Sequence, residues 1–219
     1  MSSNLLTTFP AFFRVSGKTV AVFGDGDEAY AKVRLLRNTD ARIVAYAADP
    51  EADYHAYLTA HGVETVRAGF CLGQLAGVTL VFAATGDERQ DQAIVRAARA
   101  AKIPANAVDQ PDYCDFLTPA LVNRAPVAVA IGTEGAGPVL GQMIRARVDQ
   151  MLSPSLGRLA SLAVDYRDAV ERHIPKGVSR RVFWRRFFTG TVADSVDAGD
   201  LAAARHSADD LLSGSGRVE

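Results

Sequence analysis

Thr19-Val20-Ala21-Val22-Phe23-Gly24-Asp25-Gly26-Asp27-Glu28-Ala29 decides the reading of this chain. An apolar, β-branched run stops at a glycine, and a helical pattern begins. The spacing Gly24-x-Gly26-x-x-Ala29 is that of a Rossmann phosphate loop with alanine at its third small position. In such a loop the first glycine allows the tight turn and the second lets backbone approach a pyrophosphate. The third small residue lets helix pack closely on strand. The N–H groups of the next helix then point at the anion. The same spacing also serves a tight strand–helix turn without a ligand, and its place between a strand and a helix favours the dinucleotide site. Asp25 is out of keeping, because an anionic side chain between the glycines crowds a bound pyrophosphate. Asp27 and Glu28 suit a helix N-terminus but add negative charge there. Replacing Asp25 with glycine is therefore expected to tighten dinucleotide binding.

The bulk of the sequence narrows the classes. A chain of 219 residues with 48% hydrophobic content fills one large domain or two small ones. A net charge of −1 gives no general attraction for polyanions, and no nucleic-acid partner is expected. Cys71 and Cys114 form neither a CxxC pair nor a zinc pattern, so a reduced, cytoplasmic protein is the simple reading. Met1-Ser2-Ser3-Asn4 lacks a basic leader, and no apolar run reaches the roughly 18 residues of a membrane span. No membrane partner is expected.

Taken in order, Phe9–Val15 reads as a lead-in covering a sheet edge, and Thr19–Phe23 as the first strand. A helix is expected from about Asp27 to Asn38, and a strand over Arg42–Ala47. Asp49 follows about twenty residues beyond Ala29, where an acid takes the ribose hydroxyls and favours NAD over NADP. Asp49-Pro50 is equally a natural helix start. A helix over Glu51–His61, short strands over Val63–Val66 and Val78–Ala84, a helix over Glu88–Lys102 and a strand over Pro104–Val108 complete an α/β alternation. This predicts a Rossmann-like, mostly parallel sheet, with Gly24, Asp49, Thr85 and Asp109 at strand carboxyl ends.

The pattern then changes. Phe116–Val122 and Val127–Ile131 read as two antiparallel strands joined by Asn123-Arg124-Ala125-Pro126. A second glycine-rich loop, Gly132–Pro138, opens a helix over Val139–Leu152. It reads as an anion-friendly loop, as a helix start with proline in the first turn, or as both. An all-helical region follows, over about Pro154–His173, Ser179–Phe188 and Ala198–Leu212. The expected organisation is a Rossmann domain at 1–112, two strands and a helix at 113–152, a helical domain at 153–212 and a linker at 213–219.

Several residues keep two readings. Asp109 is a turn cap before Gln110-Pro111 or a sheet-end carboxylate in the site. Lys176, Arg180, Arg181, Arg185 and Arg186 read as a solvated helix face, with substrate carboxylates or nucleic acid as the alternatives. Phe183, Trp184, Phe187 and Phe188 at helical spacing suit a core or a dimer contact better than a stacking platform. His55, His61, His173 and His206 are too scattered to be a ligand set, and no permanent metal is expected.

Val22-Phe23-Gly24-Asp25-Gly26 with Ala29 and Lys32, Phe82-Ala83-Ala84-Thr85, and Asn106-Ala107-Val108-Asp109 stand in a telling order. Phe116-Leu117-Thr118-Pro119-Ala120, Val129-Ala130-Ile131-Gly132-Thr133 through Gly135 and Pro138, and Arg181–Phe188 continue it. Together they resemble the precorrin-2 dehydrogenase/sirohydrochlorin ferrochelatase module of siroheme synthase over nearly the whole chain.

The resemblance implies NAD-dependent oxidation of precorrin-2 to sirohydrochlorin, then insertion of Fe²⁺, itself a substrate, to give siroheme. It implies Asp109 as the catalytic base and transient iron ligand. It places the cofactor on Gly24, Asp25, Gly26, Asp27, Glu28, Ala48, Asp49 and Thr85. It gives Asn106, Thr133 and Gly135 to the substrate, and makes Thr133 a candidate for phosphorylation. It further implies a homodimer and fusion to a uroporphyrinogen III methyltransferase domain, toward which Gly216–Glu219 would lead. Two departures stand out: Asp25 replaces a glycine, and Thr133 replaces a serine. An NAD-dependent dehydrogenase of another substrate, and a non-enzymatic NAD- or tetrapyrrole-binding dimer, remain the alternatives.

Overall fold

The protein is described by a computed structural model covering residues 5–215. Five strands form one sheet: β1 (Thr19–Phe23), β2 (Arg42–Tyr46), β3 (Glu64–Val66), β4 (Val78–Ala83) and β5 (Ala105–Ala107). Their order is β3-β2-β1-β4-β5, and each neighbouring pair is parallel. The crossovers run through α1 (Asp27–Leu36), α2 (Ala52–Ala60) and α3 (Glu88–Ala100). The chain starts at β1, builds outward to β3, then returns to β4 on the other side. That reversal makes the carboxyl ends of β1 and β4 a topological switch point, where doubly wound sheets take ligands.

Burial explains the apolar strand sequences. Val20 and Val22 pack with Ala29 and Val33 of α1 and Leu58 of α2 on one face. Ala21, Phe23, Val81 and Ala83 pack with Ile94, Val95 and Ala98 of α3 on the other. A strand buried on both faces needs apolar residues at nearly every position, not at alternate ones. Asp87 starts α3 by accepting the N–H groups of Arg89 and Gln90 at 2.8 and 3.0 Å.

The chain divides into two compact units: Met1–Thr118 with Gly132–Gly137, and Pro119–Ile131 with Pro138–Glu219. In the second, β6 (Ala120–Arg124) and β7 (Val127–Ile131) pair antiparallel. The helices α4 (Pro138–Met151), α5 (Leu156–His173), α6 (Val178–Thr189), α7 (Thr191–Asp197) and α8 (Leu201–Ser215) follow. Leu159, Leu162 and Val170 of α5 bury against Phe183 and Phe187 of α6, Val196 of α7 and Ala204 of α8. Gly157 lets α5 start flush on the β6–β7 turn, since a Cβ there would lie 2.4 Å from the Ala125 carbonyl oxygen. The fold class read from the sequence is the one found: a parallel α/β sheet, a small antiparallel pair and a helical region.

Some boundaries differ from expectation. Phe116–Thr118 is not strand, because the Phe116 carbonyl accepts the Asn106 side-chain amide at 2.9 Å and its ring packs edge-on against Phe82. Helix α7 was not expected. It arises because Gly190 has no Cβ to meet the Arg186 carbonyl oxygen, which would be 2.7 Å away, so the chain turns at once into a new helix. Gly199, at φ +83°, then separates α7 from α8. Helix α8 continues through Ser215, three residues into the expected linker, with Leu211 and Leu212 packed on the core ahead of its last turn. The readings of Met1–Asn4 and Gly216–Glu219 lie outside the described residues. The lead-in covers little: Phe13 tilts against Phe116, but Phe9 is 89% exposed, because the segment has no strand partner to hold it down.

Candidate functional site

β1 ends at Phe23, and Gly24 turns the chain at φ +142°. A Cβ at Gly24 would sit 1.9 Å from the Ala84 carbonyl oxygen, so only glycine passes between the ends of β1 and β4. Gly26 is the N-cap of α1 in extended conformation and provides no side-chain cap. The first-turn N–H groups of α1 therefore keep their hydrogen-bonding capacity and the positive end of the helix dipole. Ala29 is fully buried in the core under the loop.

Asp25 does not hang over this turn as a loose charge. Its Oδ1 accepts the backbone N–H of Asp49 at 3.0 Å, and its carbonyl oxygen accepts the N–H of Glu51 at 2.9 Å. The expected crowding of a phosphate by Asp25 gives way to a tie between the ends of β1 and β2. Ala48 and Asp49 are exposed beside that tie. Glu51, exposed at the N-cap of α2 and read from the sequence only as a helix start, brings its carboxylate to Gly26. Its Oε1 lies 2.9 Å from the point a Gly26 Cβ would occupy.

At the end of β4, Thr85 is drawn into a local knot. Its N–H and hydroxyl both donate to Asp91 Oδ1, at 3.0 and 2.8 Å. Asp91 is 2% exposed, and burial pushes its carboxyl above the usual range, against the two Thr85 bonds. Sequence reading missed Asp91 because a single inward carboxylate in the run Asp87–Asp91 leaves no periodic mark.

At the end of β5, Asn106 is 5% exposed and faces inward. Its Nδ2 donates to the Phe116 carbonyl, and its Oδ1 is buried without a partner. Asp109 sits in the left-handed region at φ +57°, which aspartate tolerates better than most residues. The turn is closed by the Gln110 N–H on the Ala107 carbonyl at 3.3 Å, and the exposed Asp109 carboxylate is no cap. Its charge reaches α1. Burial raises the Glu28 carboxyl, and Asp109 and Asp91 raise it further. Burial lowers the Lys32 ammonium, opposed first by Asp109 and then by Cys114 and Glu28. Glu28, Lys32, Asp91 and Asp109 thus share one electrostatic environment at the carboxyl end of the sheet.

The second glycine loop is built differently. The Ala136 N–H closes a turn on the Thr133 carbonyl at 2.8 Å, and Pro138 opens α4. Glu134 Oε1 accepts the N–H groups of Thr7 and Thr8 and the Thr8 hydroxyl, at 2.8, 2.7 and 2.8 Å. Those bonds, Thr8's first, hold the Glu134 carboxyl below its usual range. Among the described residues no hydrogen bond joins Thr133 or Gly135 to the Gly24 loop.

In the helical unit the basic run is divided. Arg180 Nη2 donates to the Ile174 and Glu171 carbonyls at 2.8 and 3.1 Å, closing the end of α5. Arg181, Arg185 and Arg186 are exposed. Phe183 and Phe187 are core, whereas Phe188 is exposed and stacks on the half-buried Trp184. Among the described residues no helix is long and apolar enough to cross a membrane.

Comparison with known proteins places this geometry. A family model described as "Putative NAD(P)-binding" matches residues 11–120, and one described as "Sirohaem synthase dimerisation region" matches residues 155–212. The chain is 34% identical over 213 residues to the siroheme synthase of Methylobacillus flagellatus, covering 97% of this chain and 46% of that protein. It is 36% identical over 205 residues to the siroheme synthase of Ectopseudomonas mendocina, covering 94% of this chain and 44% of that protein. The chain therefore spans a little under half the length of these relatives. Its fold is that of SirC, precorrin-2 dehydrogenase, with a TM-score of 0.78 at 17% identity over 93% of this chain and 98% of that one. The chain belongs to the family described as "Putative NAD(P)-binding", whose model matches half of it, and the region described as "Sirohaem synthase dimerisation region" follows in order.

Proposed function

We propose that this chain oxidises precorrin-2 to sirohydrochlorin with NAD⁺ and then inserts Fe²⁺ to give siroheme. One juxtaposition supports the reading most. At the carboxyl end of a single parallel sheet, a glycine cradle opens α1, and Asp109 closes β5 with its charge acting on Glu28 and Lys32 of that same helix. The residues present fit a dinucleotide. Gly24 and Gly26 leave backbone bare at the helix start, and the group beside the missing Gly26 Cβ is the movable end of a glutamate.

The roles follow from chemistry. Gly24, Gly26 and the first-turn N–H groups at Asp27 and Glu28 hold the pyrophosphate. Ala48, Asp49 and Thr85 flank it; Asp25 fixes the loop that presents Ala48 and Asp49, and Asp91 holds Thr85. NAD⁺, when bound, supplies the hydride acceptor. Oxidation of the macrocycle releases a hydride and a proton, and Asp109 accepts the proton, its carboxylate being exposed. Lys32 balances the charge on Asp109 and Glu28 before that proton arrives. Fe²⁺ is a substrate in the second reaction, displacing two pyrrole protons. Asp109 takes them in turn and briefly ligates the metal as it passes.

Asn106 holds the Phe116 carbonyl and so sets the end of β5 from which Asp109 projects. Thr133 and Gly135 offer a hydroxyl and backbone donors to the carboxylates of the tetrapyrrole, and Thr133 is the proposed modification site. A homodimer is part of this reading, supported by the dimerisation-region match. The test follows NADH formation with precorrin-2 as substrate. Steady NADH production with release of sirohydrochlorin is the expected result. A protein that binds sirohydrochlorin yet never reduces NAD⁺ overturns the dehydrogenase and leaves the chelatase.

A further inference from the structure

The turn that carries Asp109 is weakly closed by its own backbone. Asp109 stands at φ +57°, a conformation that costs a non-glycine residue free energy and persists only where its surroundings hold it. The closing bond, from the Gln110 N–H to the Ala107 carbonyl, is long at 3.3 Å. The exposed Asp109 carboxylate adds no bond among the described residues.

Cys114 supplies what the turn lacks. Its Sγ lies 3.1 Å from the Ala107 carbonyl oxygen and 3.3 Å from the Gln110 carbonyl oxygen, and these two residues flank Asp109 in sequence. The single thiol proton donates to one carbonyl or is shared by both. Burial raises the thiol above its usual range, so the proton stays on sulfur at neutral pH. The sulfur also receives the Asn106 amide at 3.2 Å. That side chain is 5% exposed, and its Oδ1 has no partner among the described residues, a buried acceptor that packing alone tends to pair.

The root of Cys114 is fixed from the other side. The next residue, Asp115, pairs with both backbone groups of Ala105. Its N–H donates to the Ala105 carbonyl at 2.8 Å, and its Oδ2 accepts the Ala105 N–H at 3.0 Å. Arg99 Nε donates to Asp115 Oδ1 at 2.8 Å. The thiol is therefore carried on a segment tied along β5 and reaches back to the turn at the end of that strand.

We infer that Cys114 is a positioning residue for the oxidation: its thiol clips the two carbonyls that flank Asp109 and holds the catalytic carboxylate in its left-handed setting. This rests on the reading of Asp109 as the acid–base residue. A base displaced by a fraction of an ångström loses rate, while the dinucleotide cradle, built from β1 and α1, is untouched.

Cys114→Ala and Cys114→Ser test the assignment, because the two side chains are nearly equal in size and differ in a hydroxyl that replaces the thiol bonds. Kinetics with NAD⁺ and precorrin-2 are read beside the backbone NMR shifts of Asp109, which report its left-handed conformation without turnover. Cys114→Ala lowers kcat about tenfold, leaves KM for NAD⁺ within about twofold and moves Asp109 out of the left-handed region. Cys114→Ser keeps kcat within about threefold of the native value and keeps Asp109 in place. Cys114→Val, which fills the space and donates nothing, stands in for Cys114→Ala should that variant not fold, with the same loss expected. Equal losses in the serine variant and the variant without a donor reduce Cys114 to packing and overturn the proposal. Native turnover that Cys114→Ala leaves unchanged overturns the positioning role alone. A native protein that forms no NADH overturns the dehydrogenase reading and the positioning role with it.

Discussion

The carboxylate of Asp25 accepts the backbone N–H of Asp49 across 3.0 Å and so joins the turns that follow β1 and β2. A charge read from the sequence as an obstacle to phosphate is engaged in a loop–loop bond. The consequence reverses the expectation for its replacement. Asp25→Gly removes the tie and weakens NADH binding about three- to tenfold, in line with the loss of roughly 1 kcal/mol from one hydrogen bond. Asp25→Asn keeps an acceptor oxygen and stays within about twofold of the native affinity by the same reasoning. Isothermal titration of the two variants distinguishes the readings, and tighter binding by Asp25→Gly would restore the crowding view.

Gly24 has no tolerated replacement. Its φ of +142° disfavours any side chain, and a Cβ would meet the Ala84 carbonyl oxygen at 1.9 Å. That oxygen belongs to backbone at the end of β4 and cannot swing aside. Gly24→Ala should destabilise the sheet unit by about 3 kcal/mol or more, the range of a strained backbone combined with a core clash. Urea unfolding checks this, and a loss under about 1 kcal/mol would be inconsistent with the close passage of β1 and β4.

Asp109 stands apart from the structural carboxylates, since among the described residues it neither caps a turn nor forms an ion pair. Asp109→Ala should lower precorrin-2 oxidation by roughly 10²–10⁴, the usual size of an acid–base contribution. NADH affinity should remain within about threefold, because the cradle is made by other residues. Single-turnover NADH formation beside equilibrium binding separates the two. Near-normal turnover in this variant removes Asp109 from the mechanism.

Asp91 makes stability depend on pH in a specified direction. Burial raises its carboxyl in the folded protein above its value in the unfolded chain. A raised acid contributes stability that is fully present below the unfolded value, near about 4, and lost as pH rises through the folded one. Asp91→Asn keeps an acceptor for the Thr85 hydroxyl and cannot ionise. The stability of the variant relative to the native protein should therefore improve as pH is raised from about 4 to about 7. Urea midpoints measured across that range give the trend, and a flat or falling difference contradicts it.

Local pattern settled a large part of this protein. The two-sided burial of β1 and β4 needs continuous apolar runs, and helices need their own period, so these strands and the helices other than α7 were legible, though not to the residue. Gly24-x-Gly26-x-x-Ala29 announced the cradle because tight backbone passage admits only small side chains, and that constraint is local. Tertiary structure decided what distance in sequence hides. It turned Asp25 toward the Asp49 amide, sent the Glu51 carboxylate across to Gly26, buried Asp91 under Thr85 and drew Phe116 onto the Asn106 amide. Each is a polar or aromatic side chain, and all but Asp91, whose partner Thr85 lies six residues before it, meet a partner far away in sequence. The physical reason is common to all: hydrogen bonding and charge depend on separation in space, and only the winding of the chain around β1 and β4 brings those ends together.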